Sequence, residues 1–406
     1  MTDLVLLGSD GATRTVQLAA PSAFSRPRHP LASRTAYAAA HVVPKHWADN
    51  TPGVAADIDW DETLAFRRHV WSWGLGVADA MDTAQRNMGL DPEATRELIT
   101  RSAVEAQAAG GAIVVGVNTD HLDDDVVSLD RVIDAYKEQL HFAEDAGAGV
   151  VLMASRHLAR AANTAADYER VYREVLSAAS APVILHWLGA AFDPALDGYF
   201  GSTDSEVATE TVLGIMAENA DRVAGIKMSL LDANAEIALR SRMRKSATMF
   251  TGDDFNYVRL IAGVEDAGVE GTGGEAAGDD AGPAGHAYSD ALLGAFAALA
   301  PSASAAIQAL DGGDRKKYFS ILGPTEALSR QIFATPTFYY KTGVAFLSWL
   351  NGHQRAFSMV GGLHAARSMP HLSEIVRLAN EVGAFERPEL AAERWHQLLS
   401  VNGVDA

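Results

Sequence analysis

The feature that most constrains this chain is an alternation. Short apolar runs, each too brief for a stable helix, are separated by longer segments with apolar residues at helical spacing. The runs are Thr35–Val43, Gly76–Met81, Ala112–Val117, Gly149–Met153, Pro182–Trp187, Val223–Lys227 and Ala247–Thr251. The intervening segments carry helix-boundary chemistry. Asp91-Pro92-Glu93 supplies an N-cap, a proline at the first helical position and an acidic first turn. Ser128 precedes a helix over Leu129–Ala146 that closes at Gly147. Strands that alternate with helices pair in parallel through right-handed crossovers. Seven runs, with an eighth near His286–Ser289, predict an α/β fold of the (β/α)₈ barrel type. No Gly-x-Gly-x-x-Gly follows the first run, which counts against an open dinucleotide-binding sheet.

Residues outside this alternation predict the rest of the organisation. Leu4–Leu7 and Thr13–Leu18 flank Ser9-Asp10-Gly11, and Asp-Gly supplies the positive φ a hairpin turn needs. Residues 1–30 therefore read as a β-hairpin and linker, 31–310 as the barrel, and 311–406 as a C-terminal helical extension packed on it. Helices are expected over Ala291–Leu310, Lys316–Ser329, Gly343–Leu350, Leu372–Gly383 and Pro388–Leu399. Residues 264–287, rich in Gly, Ala and Asp, cannot build a core and read as a flexible surface loop, either an active-site lid or an insertion.

Composition excludes several classes of function. Among 406 residues there is no cysteine, so disulfides, thiolate zinc sites and cysteine nucleophiles are ruled out. The net charge of −19 repels phosphate backbones and anionic lipid, so neither nucleic acid nor a membrane is an expected partner. Asp3 precedes the short apolar run at the N-terminus, which does not fit a signal peptide, and a cytoplasmic location is expected.

In such a barrel the active site forms at the C-terminal ends of the strands. Polar residues there are His41, Asp82 and Thr83, Asn118, Asp120 and His121, Ser155 and Arg156, His186, Lys227 and Ser229, and Asp253 and Asp254. Lys227 stands out, because an ammonium in the apolar strand Val223-Ala-Gly-Ile-Lys-Met-Ser229 is desolvated. Desolvation favours the free amine that attacks a carbonyl to form a Schiff base. The bland alternative is a lysine paired with Asp82 or Asp253. His186 on the neighbouring strand could relay protons or could simply be a satisfied core histidine. Asp253 and Asp254 could bind hydroxyls, orient a base or ligate metal, or one of them could cap a helix starting at Phe255. His41, Asp82, His186 and Asp253 could together hold a divalent metal, although no short ligand motif marks them.

The ordered pieces Pro182-Val-Ile-Leu-His186, Val223-Ala-Gly-Ile-Lys-Met-Ser229 and Thr251-Gly-Asp-Asp254 resemble the dihydrodipicolinate synthase/N-acetylneuraminate lyase superfamily. More closely, the chain is similar to an uncharacterised branch, DUF993. The resemblance implies a Schiff-base role for Lys227 and association into dimers or tetramers. It also marks two departures. The superfamily's proton-relay tyrosine falls at His186, and its Gly-Thr-Thr-Gly-Glu carboxylate cradle falls at Ala80-Met-Asp-Thr-Ala-Gln85. An aspartate at 82 beside a substrate carboxylate is repulsive by a few kcal/mol, on the order expected for close like charges.

Together these features predict a metal-free class I lyase or retro-aldolase acting on a hydroxyl-rich ketone rather than a pyruvate-type acid. Lys227 and His186 are the catalytic candidates. His41, Asp82, Thr83, Asn118, Asp120, Ser229, Asp253 and Asp254 are the substrate-binding ones. The alternatives are a metal-dependent sugar isomerase, epimerase or lyase, and a non-catalytic sugar-binding barrel. No dinucleotide, flavin or pyridoxal motif is present.

Overall fold

The computed structural model describes residues 3–81, 86–263 and 286–405. The N-terminal hairpin pairs β1 (Asp3–Leu7) with β2 (Thr13–Gln17), antiparallel, Leu7 opposite Thr13. Gly11 turns the chain at φ 80°, a conformation costly for a residue with a Cβ. Leu4 and Leu6, two apart, bury on one face.

Eight parallel strands then close the predicted barrel, with α-helical crossovers between them. In chain order the elements are β3 (Ala36–Ala39), α1 (Trp60–Ser72), β4 (Gly76–Asp79), α2 (Pro92–Ala109) and β5 (Ile113–Val117). They continue with α3 (Leu129–Asp145), β6 (Gly149–Leu152), α4 (Arg156–Ala161), α5 (Ala165–Ala178), β7 (Val183–Leu188) and α6 (Ser205–Glu218). The last are β8 (Val223–Ser229), α7 (Ala233–Arg240), β9 (Thr248–Thr251), α8 (Tyr257–Ala262) and β10 (Asp290–Leu293). The predicted helix starts are present: Asp91 accepts from the Ala94 N–H and Ser128 from the Arg131 N–H.

The eighth strand is a correction. It lies at Asp290–Leu293, beyond the expected His286–Ser289, and it takes residues expected to start a helix. Asp-Ala-Leu-Leu has no β-branched residue, and alanine and leucine favour helix. Pairing of Asp290 with Phe250 and Ala291 with Thr251 overrides that preference. The helices beyond are α9 (Ala295–Ala298) and α10 (Ala300–Asp311). The helix expected over Lys316–Ser329 is also corrected. It divides into α11 (Arg315–Leu322) and α12 (Thr325–Ile332) at Gly323-Pro324, because proline lacks the N–H that would continue the first. The chain ends in α13 (Tyr340–Leu350), α14 (Met369–Glu381) and α15 (Pro388–Val401).

Packing divides the chain into two units, residues 1–114 with 293–406, and residues 115–292. In the first, β1 lies on α14 and α15: the Trp395 indole donates to the Val5 carbonyl at 2.6 Å, and the Val5 N–H reaches His396 Nε2 at 3.1 Å. Its polar core is built on Arg67, fully buried on α1. The guanidinium contacts both carboxylate oxygens of Asp79, at 2.8 and 2.6 Å, and the carbonyls of His41 and Thr63. Lys341, buried on α13, donates to the Ala39 carbonyl. In the second unit β7 is buried along its whole length, as befits a parallel strand covered on both faces. Among the described residues, no helix is long and apolar enough to cross a membrane.

Candidate active site

The second unit brings Lys227, His186 and Ser229 together. β7 and β8 pair in register, His186 opposite Lys227 and Leu188 opposite Ser229. His186 Nε2 lies 3.1 Å from Ser229 Oγ, so these two side chains share a face of the sheet. Lys227, two residues before Ser229, shares it by strand alternation. All three residues are buried.

Gly252, at the end of β9, makes this arrangement possible. A Cβ built there would fall 2.1 Å from Ser229 Oγ, 2.7 Å from Lys227 Cε and 2.8 Å from the Met228 carbonyl oxygen. Every other residue would occupy the volume that the lysine stem uses. The Gly252 N–H also donates to the Met228 carbonyl at 2.8 Å, holding the β9 end against β8.

Burial pushes the His186 imidazole well below its ordinary pKa, and the nearby Lys227 adds to the effect. The ring is therefore neutral at neutral pH. Its Nδ1 is buried without a hydrogen-bond partner, leaving one nitrogen for an incoming group.

The other strand-end candidates have structural partners. Asp253 Oδ1 accepts from the Phe255 and Asn256 N–H groups at 2.9 and 3.1 Å, and Oδ2 from the Asn256 amide. The helix cap expected at Phe255 is corrected: α8 begins at Tyr257 with Asn256 ahead of it, and Asp253 closes the turn before the helix. Asp254 is buried beside it. Asn118 Oδ1 accepts from the Thr119 N–H, and Asp120 accepts from Gln139, which also bonds the Asn118 N–H and His121 Nδ1. Arg156 pairs with Asp193 at 2.5 Å.

His41 belongs to the first unit. It is fully buried, its Nε2 is 2.6 Å from Gln354 Oε1, and its ring meets Phe66 edge-on. Burial lowers its pKa to about 3, with the Gln354 bond opposing the shift. Asp82 and Thr83 lie outside the described residues, as do 264–285 of the Gly-rich segment. Of the metal set His41, Asp82, His186 and Asp253, the second unit contains His186 and Asp253, and Asp253 is committed to its turn. Just before position 82, Ala80 holds φ 46°, a left-handed strain at the start of the segment that departs from the superfamily's carboxylate cradle.

Two groups were not foreseen. Glu236 on α7 is buried, bonded through Oε1 to Ser289 Oγ at 2.6 Å, with Oε2 unpartnered. Burial raises its pKa to about 7, against the pull of hydrogen bonds from Ser289 and Thr251. Its spacing of three and four from Leu239 and Arg240, both buried, was the available signal. Thr119 Oγ1 contacts Ser155 Oγ at 2.6 Å and His157 Nδ1 at 2.8 Å, linking two strand ends that carry no common motif.

Comparison with known proteins adds family and fold. The family described as "Protein of unknown function (DUF993)" matches residues 4–404. No match was found among curated proteins. Of solved structures, dihydrodipicolinate synthase from Bacteroides thetaiotaomicron superposes with a TM-score of 0.62 at 13% identity, covering 87% of this chain and 100% of its own. The synthase from Oceanobacillus iheyensis gives 0.58 at 14%, covering 86% and 96%. That from Thermotoga maritima gives 0.59 at 13%, covering 86% and 99%. At these identities the likeness is one of fold.

Proposed function

We propose that this chain, which belongs to the DUF993 family, is a class I lyase or retro-aldolase that uses Lys227 to form a Schiff base with a hydroxyl-rich ketone such as a keto-sugar. The convergence of Lys227, His186 and Ser229, with Gly252 cleared for the lysine stem, carries this reading. The fold shared with synthases named for dihydrodipicolinate supports it.

In the proposed cycle the Lys227 amine adds to the ketone carbonyl, and loss of water gives an iminium ion. Removal of the proton from the β-hydroxyl breaks the Cα–Cβ bond. The electron pair flows into the iminium nitrogen to leave an enamine, and an aldehyde departs. The enamine carbon then takes back a proton, and water hydrolyses the iminium to release the second carbonyl product. His186 is suited to move these protons because it is neutral and already joined to the Ser229 hydroxyl. The aspartate at 82, at the sequence position of the superfamily's carboxylate cradle, argues against a pyruvate-type acid, and a neutral polyol is the substrate class this reading takes.

The test is sodium borohydride trapping with a panel of keto-sugars and pyruvate-type keto acids, read by intact mass. A substrate-sized mass gain from a keto-sugar, absent in Lys227→Ala, is expected. No adduct from any ligand, or an adduct that persists in Lys227→Ala, overturns the lysine chemistry. Trapping by keto acids alone overturns the substrate class.

A further inference from the structure

We propose that His69, His353 and Glu386, in the first unit, form a binding site for a divalent transition-metal ion of the zinc class. His69 lies in the last turn of α1, His353 in the turn after α13, and Glu386 just ahead of α15. One ligand atom from each lies within 4.8 Å of the other two. None belongs to the strand-end constellation around Lys227.

Both imidazoles address the same carboxylate oxygen. His353 Nε2 is 2.7 Å from Glu386 Oε1, and His69 Nε2 is 3.5 Å from it. The first distance is a hydrogen bond, while the second exceeds the reach of one in this geometry. Tetrahedral bonds of about 2.0–2.2 Å place ligand atoms roughly 3.3–3.5 Å apart, so the His69–Glu386 spacing already suits a shared ion. The His353 bond must open by less than about 1 Å on the same geometry, with the ion replacing the Nε2 proton, which moves to Nδ1 or to solvent.

The donors are held before any ion arrives. The His69 and His353 rings lie 4.0 Å apart between centroids, and Phe66 packs against both, at 6.1 and 5.9 Å. The Glu386 N–H is fixed by Asn351 Oδ1 at 2.9 Å, and the Asn351 amide in turn bonds the Ala384 carbonyl. The side chains are 13%, 19% and 30% exposed, open enough for an ion to enter and for water to fill a fourth position. Two imidazoles and one carboxylate select zinc, cobalt or nickel over calcium and magnesium, which prefer all-oxygen sites. An ion here would tie α1 to the C-terminal helices of the same unit.

The test uses the full chain, stripped with chelator and dialysed, then titrated with Co²⁺ and Zn²⁺. One equivalent of Zn²⁺ per chain, visible Co²⁺ ligand-field bands displaced by Zn²⁺, and a Tm raised by a few degrees are expected. His353→Gln, which keeps an amide donor for Glu386 and so favours folding, and His69→Ala should each lower Zn²⁺ affinity at least tenfold. Absence of Co²⁺ bands and of any Zn²⁺-dependent Tm shift in the folded wild-type chain overturns the proposal. So does Zn²⁺ binding that both folded variants, checked by circular dichroism, retain unchanged.

Discussion

Lys227 and Gly252 occupy one volume between them: the lysine Cε lies 2.7 Å from where a Gly252 Cβ would stand. Gly252→Ala must displace the Ser229 hydroxyl, which would lie 2.1 Å away, together with the lysine stem or the β9 end, and overpacking of this kind costs about 1–3 kcal/mol. The variant should lose at least tenfold in borohydride trapping while melting only modestly lower. Trapping at the wild-type level in Gly252→Ala would show that the glycine does not serve the lysine.

Ser229 joins the imidazole to the face that Lys227 presents. If protons pass along that contact, Ser229→Ala should lower kcat about 10²-fold, the usual scale for a lost proton-transfer group, and leave KM within a few-fold. Steady-state kinetics on the trapped ligand checks this. A rise in KM at constant kcat would make Ser229 a binding residue instead.

Arg67 and Asp79 are both fully buried, and the guanidinium is bonded in addition to Ser102 and two carbonyls. Asp79→Ala leaves that cation unpaired in the first unit, at a cost of about 3–5 kcal/mol. A clearly lower midpoint in urea is expected. A midpoint matching wild type would mean that water or a rearranged partner replaces the carboxylate.

Glu236 has a folded pKa of about 7, raised chiefly by burial, against an ordinary 4.5. Asp253 pushes in the same direction, while Ser289, Thr251 and Arg240 oppose it. A raised carboxyl pKa means the folded state holds its proton longer than the unfolded one. The stability it contributes is therefore complete below pH 4.5 and is lost as the pH rises through 7, on the order of 3 kcal/mol. Glu236→Gln should flatten the decline of Tm between pH 5 and 8, and be the more stable protein at pH 8. Parallel Tm profiles for the two proteins would remove Glu236 from this role.

Much of the barrel was legible because its causes are local. Seven apolar runs, Asp91 and Ser128 at helix starts, and Asp10-Gly11 in the hairpin each act within a few residues, so a linear reading finds them. The eighth strand was misplaced for the opposite reason. Asp290–Leu293 becomes a strand only through its pairing with β9. Lys227 and His186 were also legible, since each is a titratable residue set in a largely apolar strand.

Which neighbours those side chains meet was decided by tertiary structure. The register that sets His186 opposite Lys227, the empty volume at Gly252 and the buried Glu236–Ser289 bond join residues from different strands and helices. The same holds for His69, His353 and Glu386, drawn together from three distant segments. Local chemistry sets which segments become strands and helices. Side-chain contact across the fold depends on register and packing, and those exist only once the chain has closed.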